Sequence, residues 1–151
     1  MEEKLEQARK TGLLHLSLQK ICKVPQSVFN VKKLTRLDLG YNTITTIPDA
    51  IGMLVALESL WLNHNPLMTL SGEIYKCKFL KELDIRDTQL TTLPYELGRV
   101  QHLQTLDLTN TPLDDALLQA PEGILMHLRK IDTRNTLKNK LHRTLREGPY
   151  R

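Results

Sequence analysis

The stretch LTRLDLGYNTITTIP, residues 34–48, decides how this chain is read. Leu37 and Leu39 alternate with the polar residues Arg36 and Asp38, the period-2 mark of a strand with one buried face. Asn42, Ile44, Ile47 and Pro48 follow at fixed offsets. The same frame returns 23 residues later as LESLWLNHNPLMTLS, residues 57–71. Leu34, Leu57, Leu80 and Leu103 mark the start of four such units. Working outward, one column reads Leu14, Leu37, Leu60, Leu83 and Leu106, and the next Leu16, Leu39, Leu62, Ile85 and Leu108. A third holds Ile21, Ile44, Leu67, Leu90 and Leu113, and a fourth Val24, Ile47, Leu70 and Leu93. Pro25, Pro48 and Pro94 follow the fourth column, and Val28, Ile51, Ile74 and Leu97 lie three residues further on. A fixed internal period of this length is the signature of a stacked-repeat architecture.

No single unit can bury its own leucines. Stacked units build a continuous core and a parallel sheet on one side. The Leu-Pro step turns the chain away from that sheet, where proline has no ladder donor to lose. The asparagine column reads Gln19, Asn42, Asn65, Thr88 and Thr111. Asn carries donor and acceptor together and can serve the backbone of two neighbouring units. Thr has one hydroxyl, so looser loop bonding is expected in the fourth and fifth units. The third unit has Ser71-Gly72 where proline would sit.

The pattern LxxLxLxxNxLxxLPxxIGxLxx closely resembles the leucine-rich repeat over residues 11–116. Within that family it is similar to the short intracellular class of Ras-suppressor and plant Ras-group-related proteins. The resemblance implies an α/β solenoid: a right-handed stack of about five repeats with a parallel concave sheet and helical caps. It specifies a scaffold more than a function.

Terminal repeats need caps, because they would otherwise expose leucines. Residues 1–10 are expected to form an N-terminal helical cap with Leu5 and Ala8 facing the first repeat. Beyond Ala116 the period fails. Residues 117–134 read as a capping helix that starts at Pro121, with Ile124, Leu125, Leu128 and Ile131 as its apolar stripe. A sixth strand at Leu128–Thr133 is the competing reading. Residues 135–151 read as a basic amphipathic helix and tail, with Leu137, Leu141 and Leu145 spaced at i+4 and Gly148-Pro149 as its stop.

Charge is segregated along the chain. Residues 129–151 hold eight Lys/Arg against two Asp/Glu, a net of +6, whereas residues 1–128 carry a net of −2. No run of residues suits a membrane span, and the charged start MEEKLEQARK has no apolar signal region. Cys22 and Cys77 are too few for a disulfide framework or a four-ligand zinc site. They are expected as free thiols in or near the core, in a reducing, cytoplasmic compartment. The five histidines share no metal-ligand spacing, and no phosphate loop or nucleophile elbow occurs. Neither catalysis nor a cofactor or metal is expected.

The variable strand positions are expected on the open concave face, Ser59 among them. Its central row reads His15, Asp38, Trp61, Asp84 and Asp107. Trp61, the single tryptophan, lies between two aspartates with Tyr41 and His64 close by, the composition of an interface hot spot. The candidate partner-binding set is Arg36, Asp38, Tyr41, Trp61, Asn63, His64, Asp84, Arg86 and Asp107. The aspartates also have a purely local reading, because the resembled repeat commonly carries Asp at this column, as in LDL. Five strands make a face of roughly 17 by 20 Å, below the ~800 Å² per partner of a standard interface. Such a face suits a peptide or helix. Lys138, Lys140, Arg143 and Arg146 mark a second candidate surface, fitted to an acidic partner; nucleic acid and membrane are disfavoured, single-stranded nucleic acid because aromatic residues do not interleave with the basic ones. These features point to a non-catalytic protein-binding adaptor, monomeric or one subunit of a complex. The alternative is a structural subunit of a ciliary, cytoskeletal or ribonucleoprotein assembly, anchored by the basic helix. A weaker alternative, implied by the resemblance, is a regulator of a phosphatase or ubiquitin ligase.

Overall fold

Alternation of leucine with polar residues produces a short strand in each repeat. The computed structural model describes residues 1–113, 123–126, 128–130 and 134. In chain order its strands are β1 (Leu13–His15), β2 (Arg36–Asp38), β3 (Thr46–Ile47), β4 (Ser59–Trp61), β5 (Thr69–Leu70), β6 (Glu82–Asp84) and β7 (Thr105–Asp107). Strands β1, β2, β4, β6 and β7 form one parallel sheet in that order, and β3 pairs with β5 on the other side of the molecule. The register is the repeat itself: Leu14 faces Leu37, then Leu60, Leu83 and Leu106.

Behind the sheet, the return leg of each of the first four repeats is a short helix. The first is α2 (Gln26–Phe29), and the next three are 3₁₀ turns at Asp49–Met53, Gly72–Lys76 and Tyr95–Arg99. Pro25, Pro48 and Pro94 stand directly before three of the four. Ser71 takes the proline's place in the third repeat. Its Oγ accepts from the Glu73 N–H at 3.1 Å and donates to Asp49 Oδ1 at 2.5 Å. A side-chain cap thus replaces the fixed φ of proline. Val28, Ile51, Ile74 and Leu97 from these legs are fully buried against the sheet leucines.

The asparagine column ties successive repeats together. Asn42 Nδ2 donates to the carbonyls of Leu16 (2.8 Å) and Leu39 (2.9 Å), and its Oδ1 accepts from the Gln19 and Ile21 N–H groups. Asn65 does the same one repeat on, donating to Leu39 and Leu62 and accepting from Ile44. The threonines replace this bridge with a bond inside their own repeat: Thr88 Oγ1 donates to the Ile85 carbonyl and Thr111 Oγ1 to that of Leu108.

At the N-terminal end, helix α1 (Glu2–Thr11) covers the first repeat with Leu5 and Ala8, both fully buried. Gly12, at φ 74°, ends it and donates to the Ala8 carbonyl. At the other end, residues 124–126 and 128–130 are helical, so the strand reading is wrong for Leu128–Lys130. Leu128 is buried, and Arg129 Nε donates to the Gly98 carbonyl at 2.6 Å. The contact is close: a Cβ on Gly98 would stand 2.6 Å from the Arg129 backbone nitrogen. Pro121, Ile131 and residues 135–151 lie outside the described residues.

The cysteines separate. Cys77 is buried in the column of Val31, Leu54 and Val100, where burial pushes its thiol up to about 12. Cys22 is exposed rather than in the core. It occupies the repeat position of Thr45, Met68 and Thr91, which all face solvent.

Two expectations follow. Asn65→Ala removes bonds that span two repeats and should cost about 2–4 kcal/mol in urea unfolding, against about 1 kcal/mol for Thr88→Ala; equal losses would refute the bridging role. Gly98→Ala should displace the C-terminal helix and speed tryptic cleavage at Arg129 and Lys130, leaving the sheet intact by circular dichroism.

Candidate binding surface

Because the register is one repeat per strand, equivalent side chains stand in rows across the sheet. The central row behaves as a series of local caps. Asp38, Asp84 and Asp107 each accept, through Oδ1, the N–H two residues on, at Gly40 (3.0 Å), Arg86 (3.2 Å) and Thr109 (3.0 Å). Their second oxygens reach neighbours. Asp38 Oδ2 lies 3.6 Å from His15 Nδ1. Arg86 sits between Asp84 Oδ2 (Nε, 3.3 Å) and Asp107 Oδ2 (Nη1, 3.8 Å). Both readings of the aspartates therefore meet in one side chain: one oxygen closes the strand and the other faces the open surface.

The row beside it is set by the backbone. Leu18, Tyr41, His64, Asp87 and Asn110 all adopt left-handed φ between 53° and 59°. This turn ends each strand and lays the side chains along the surface. The Tyr41 and His64 rings stack with centroids 4.2 Å apart. His64 Nε2 approaches Asp87 Oδ2 at 3.3 Å, and Asn110 Nδ2 donates to Asp87 Oδ1 at 2.9 Å. Four repeats are thus linked side chain to side chain. Leu18 has no such contact among the bonds of this row and is 72% exposed.

The sequence-derived residues divide on this geometry. Tyr41 and Arg86 are exposed, as is Arg36 at the strand entry, while Asp38, Trp61, His64, Asp84 and Asp107 are half-buried. Asn63 is a correction: it is buried, folded over Gly40, whose missing side chain makes room for it. A Cβ on Gly40 would stand 2.8 Å from Asn63 Oδ1. Ser59, also expected on the open face, is buried as well. Lys138, Lys140, Arg143 and Arg146 lie outside the described residues. Tyr41, Trp61, Asp38 and Asp84 come together around a depression of about 480 Å³, which Leu18 and Glu82 also line. Leu18 and Glu82 were missing from the sequence-derived set. Both belong to the variable strand positions expected to face solvent, Glu82 next to Ser59 in the register and Leu18 at the end of the first strand, but neither was singled out as a contact.

The carboxylates of the central row differ electrostatically. Burial raises the Asp84 carboxyl above its ordinary range, with Asp107 and Glu82 adding repulsion, against the Arg86 N–H and guanidinium. The Thr109 hydroxyl and N–H hold Asp107 below it. Among the described residues, no group of three His, Cys, Asp or Glu is placed to hold a metal ion, and no helix is long and apolar enough to cross a membrane.

Residues 12–67 match the family model described as leucine rich repeat. No curated protein matches the chain. Among solved structures it is similar to a leucine-rich repeat protein of Leptospira interrogans, at 31% identity over 72% of this chain and 35% of that one, with a TM-score of 0.54. It is similar to a chain of the BIR3–SERK2 complex of Arabidopsis thaliana at 30% identity, over 67% of this chain and 56% of that one, with a TM-score of 0.60. A third likeness is to the ectodomain of the Arabidopsis receptor kinase GASSHO1/SCHENGEN3, in complex with CASPARIAN STRIP INTEGRITY FACTOR 2. Identity there is 33% over 69% of this chain and 13% of that one, with a TM-score of 0.58.

The two aspartates should titrate in opposite senses. A carboxyl whose folded pKa is raised binds its proton more tightly when folded, so its contribution to stability falls as pH rises from the unfolded value through the folded one. Asp84 behaves this way. Asp107 is the reverse: its contribution is present above the unfolded value and lost as pH falls through the folded one. Carbonyl-detected NMR should place the Asp84 midpoint above that of Asp107; the opposite order would contradict the burial argument.

Proposed function

We propose that this leucine-rich repeat protein is a non-catalytic module that binds a partner protein on its concave face and acts as an adaptor. Leucine-rich repeat domains in general are protein–protein interaction modules. Two of its structural neighbours come from complexes, BIR3–SERK2 and the receptor ectodomain with CASPARIAN STRIP INTEGRITY FACTOR 2. One observation carries the reading for this chain. Tyr41, 51% exposed and braced flat on His64, stands with Trp61 over a depression in the middle of the sheet. Rigid aromatic side chains at the centre of a surface are the usual anchors of an interface, because little side-chain freedom is lost when they are covered. The face is small, so the partner is a peptide or a helix rather than a broad globular surface. The scarcity of cysteines supports an intracellular setting.

A second reading has its own observation. The net charge of +6 over residues 129–151 favours a subunit fixed into a larger assembly by an acidic neighbour.

The test is an affinity pull-down from native lysate with three baits: the full chain, Tyr41→Ala with Trp61→Ala, and a chain ending at residue 134. Loss of the main partner from the double variant alone assigns the concave face. Loss from the truncated chain alone, with its fold intact by circular dichroism, assigns the basic segment and refutes the concave site.

A further inference from the structure

The depression under Tyr41 and Trp61 has a definite chemistry. Three carboxylates line it, Asp38, Glu82 and Asp84, against one guanidinium, Arg86. Arg86 is already engaged between Asp84 and Asp107, on the far side from Trp61's other neighbour, Asp38. Strand pairing sets Trp61 between Asp38 and Asp84 in the central row. The site therefore offers an indole, the best face for a cation among the aromatic side chains, with a carboxylate on each flank. Tyr41 closes one side with a ring fixed by His64. Asp84 is 13% exposed and Asp38 20%, so both sit in partly excluded water, where a charge pair is screened less than at an open surface. The same burial disfavours the charged form of Asp84, and a cation placed beside it would offset that cost.

We propose that this depression is the specificity pocket of the concave face and takes an arginine side chain from a basic peptide segment of the partner. The guanidinium lies over Trp61, and its N–H fork reaches Asp38 and Asp84. Arginine suits the site better than lysine, because a planar fork can stack and bond to two carboxylates at once. An acidic or purely apolar segment would leave Asp38, Glu82 and Asp84 desolvated without a counter-charge, which selects against it. The inference rests on the concave-face reading and adds to it the charge and shape of the bound residue.

Trp61 is the chain's only tryptophan, so its fluorescence reports on this pocket directly. The full chain is titrated with an alternating Ala-Arg peptide and with its Ala-Lys, Ala-Gln and Ala-Glu counterparts. Saturable quenching or shift is expected with Ala-Arg, weaker with Ala-Lys, and absent with the other two. Asp84→Asn keeps the cap to the Arg86 N–H through its side-chain oxygen, and should weaken Ala-Arg binding about tenfold. Glu3→Gln, at an exposed position of helix α1 away from the pocket, should change it less than about twofold. Binding of Ala-Gln as tight as Ala-Arg, or indifference to Asp84→Asn, overturns the proposal. So does Ala-Arg binding that appears only after Lys138, Lys140, Arg143 and Arg146 are changed to Gln, which would make the chain's own basic segment the occupant. If the lysate partner is lost with Tyr41→Ala and Trp61→Ala while Ala-Arg neither binds nor competes, the concave face stands and the arginine pocket fails. If the double variant keeps the partner, the face itself fails.

Discussion

Everything in this molecule depends on the requirement that a repeat cannot bury its leucines alone. The strands of the concave sheet are only three residues long, too short to be stable by their own ladder bonds. They persist because Leu14, Leu37, Leu60 and Leu83 form a continuous column, backed by Val28, Ile51, Ile74 and Leu97 from the return legs. Stacking is therefore the source of both the secondary and the tertiary structure, and the asparagine bridges fix its pitch. Asn42 and Asn65 each bond to carbonyls of two successive repeats. A one-residue slip between repeats would take these buried amides away from the carbonyls they bond, and a buried unsatisfied polar group costs more than a made bond gains. The bridges specify register more than they add stability.

The same register creates the surface. Residues that are far apart in the sequence become neighbours at one strand spacing, so any property shared by a column becomes a stripe. The left-handed turn at the end of each strand swings Tyr41, His64, Asp87 and Asn110 into a linked row. A positive φ is uncommon for leucine and tyrosine and better tolerated by histidine, aspartate and asparagine. Tyr41 is held in this conformation by the repeat frame together with the stacking of its ring on His64.

Much of this was legible in the sequence, for identifiable reasons. The leucine columns are periodic, and periodicity translates into burial, so most of the core and the order of the concave strands were read from it, while the β3–β5 pair and the buried Phe29 were not. The helix at the N-terminal end followed from Leu5 and Ala8 on one face. What failed was everything that depends on a particular pair of side chains. Asn63 sits at a column position that faces solvent in general, yet Gly40 in the neighbouring strand leaves a space that draws it down. Ser59 sinks because its side chain is short. Cys22 was expected in or near the core, although its column otherwise contains Thr45, Met68 and Thr91. A period says which face a residue belongs to; it does not say how far the side chain stands out from it.

The central aspartates show why the surface and the fold cannot be optimised separately. Each is needed as a strand-end cap, which fixes a carboxylate beside its neighbours at one strand spacing and makes them repel. At Asp107 the strain is relieved within the protein, by Thr109 on one oxygen and Arg86 near the other. At Asp84 burial outweighs that relief, and between Asp84 and Asp38 the row holds Trp61 in place of a cation. A repeat chain selected for stability alone would set a lysine or arginine at that point. The indole leaves a gap in the charge pattern of the row, and it is this gap that the proposed arginine would fill.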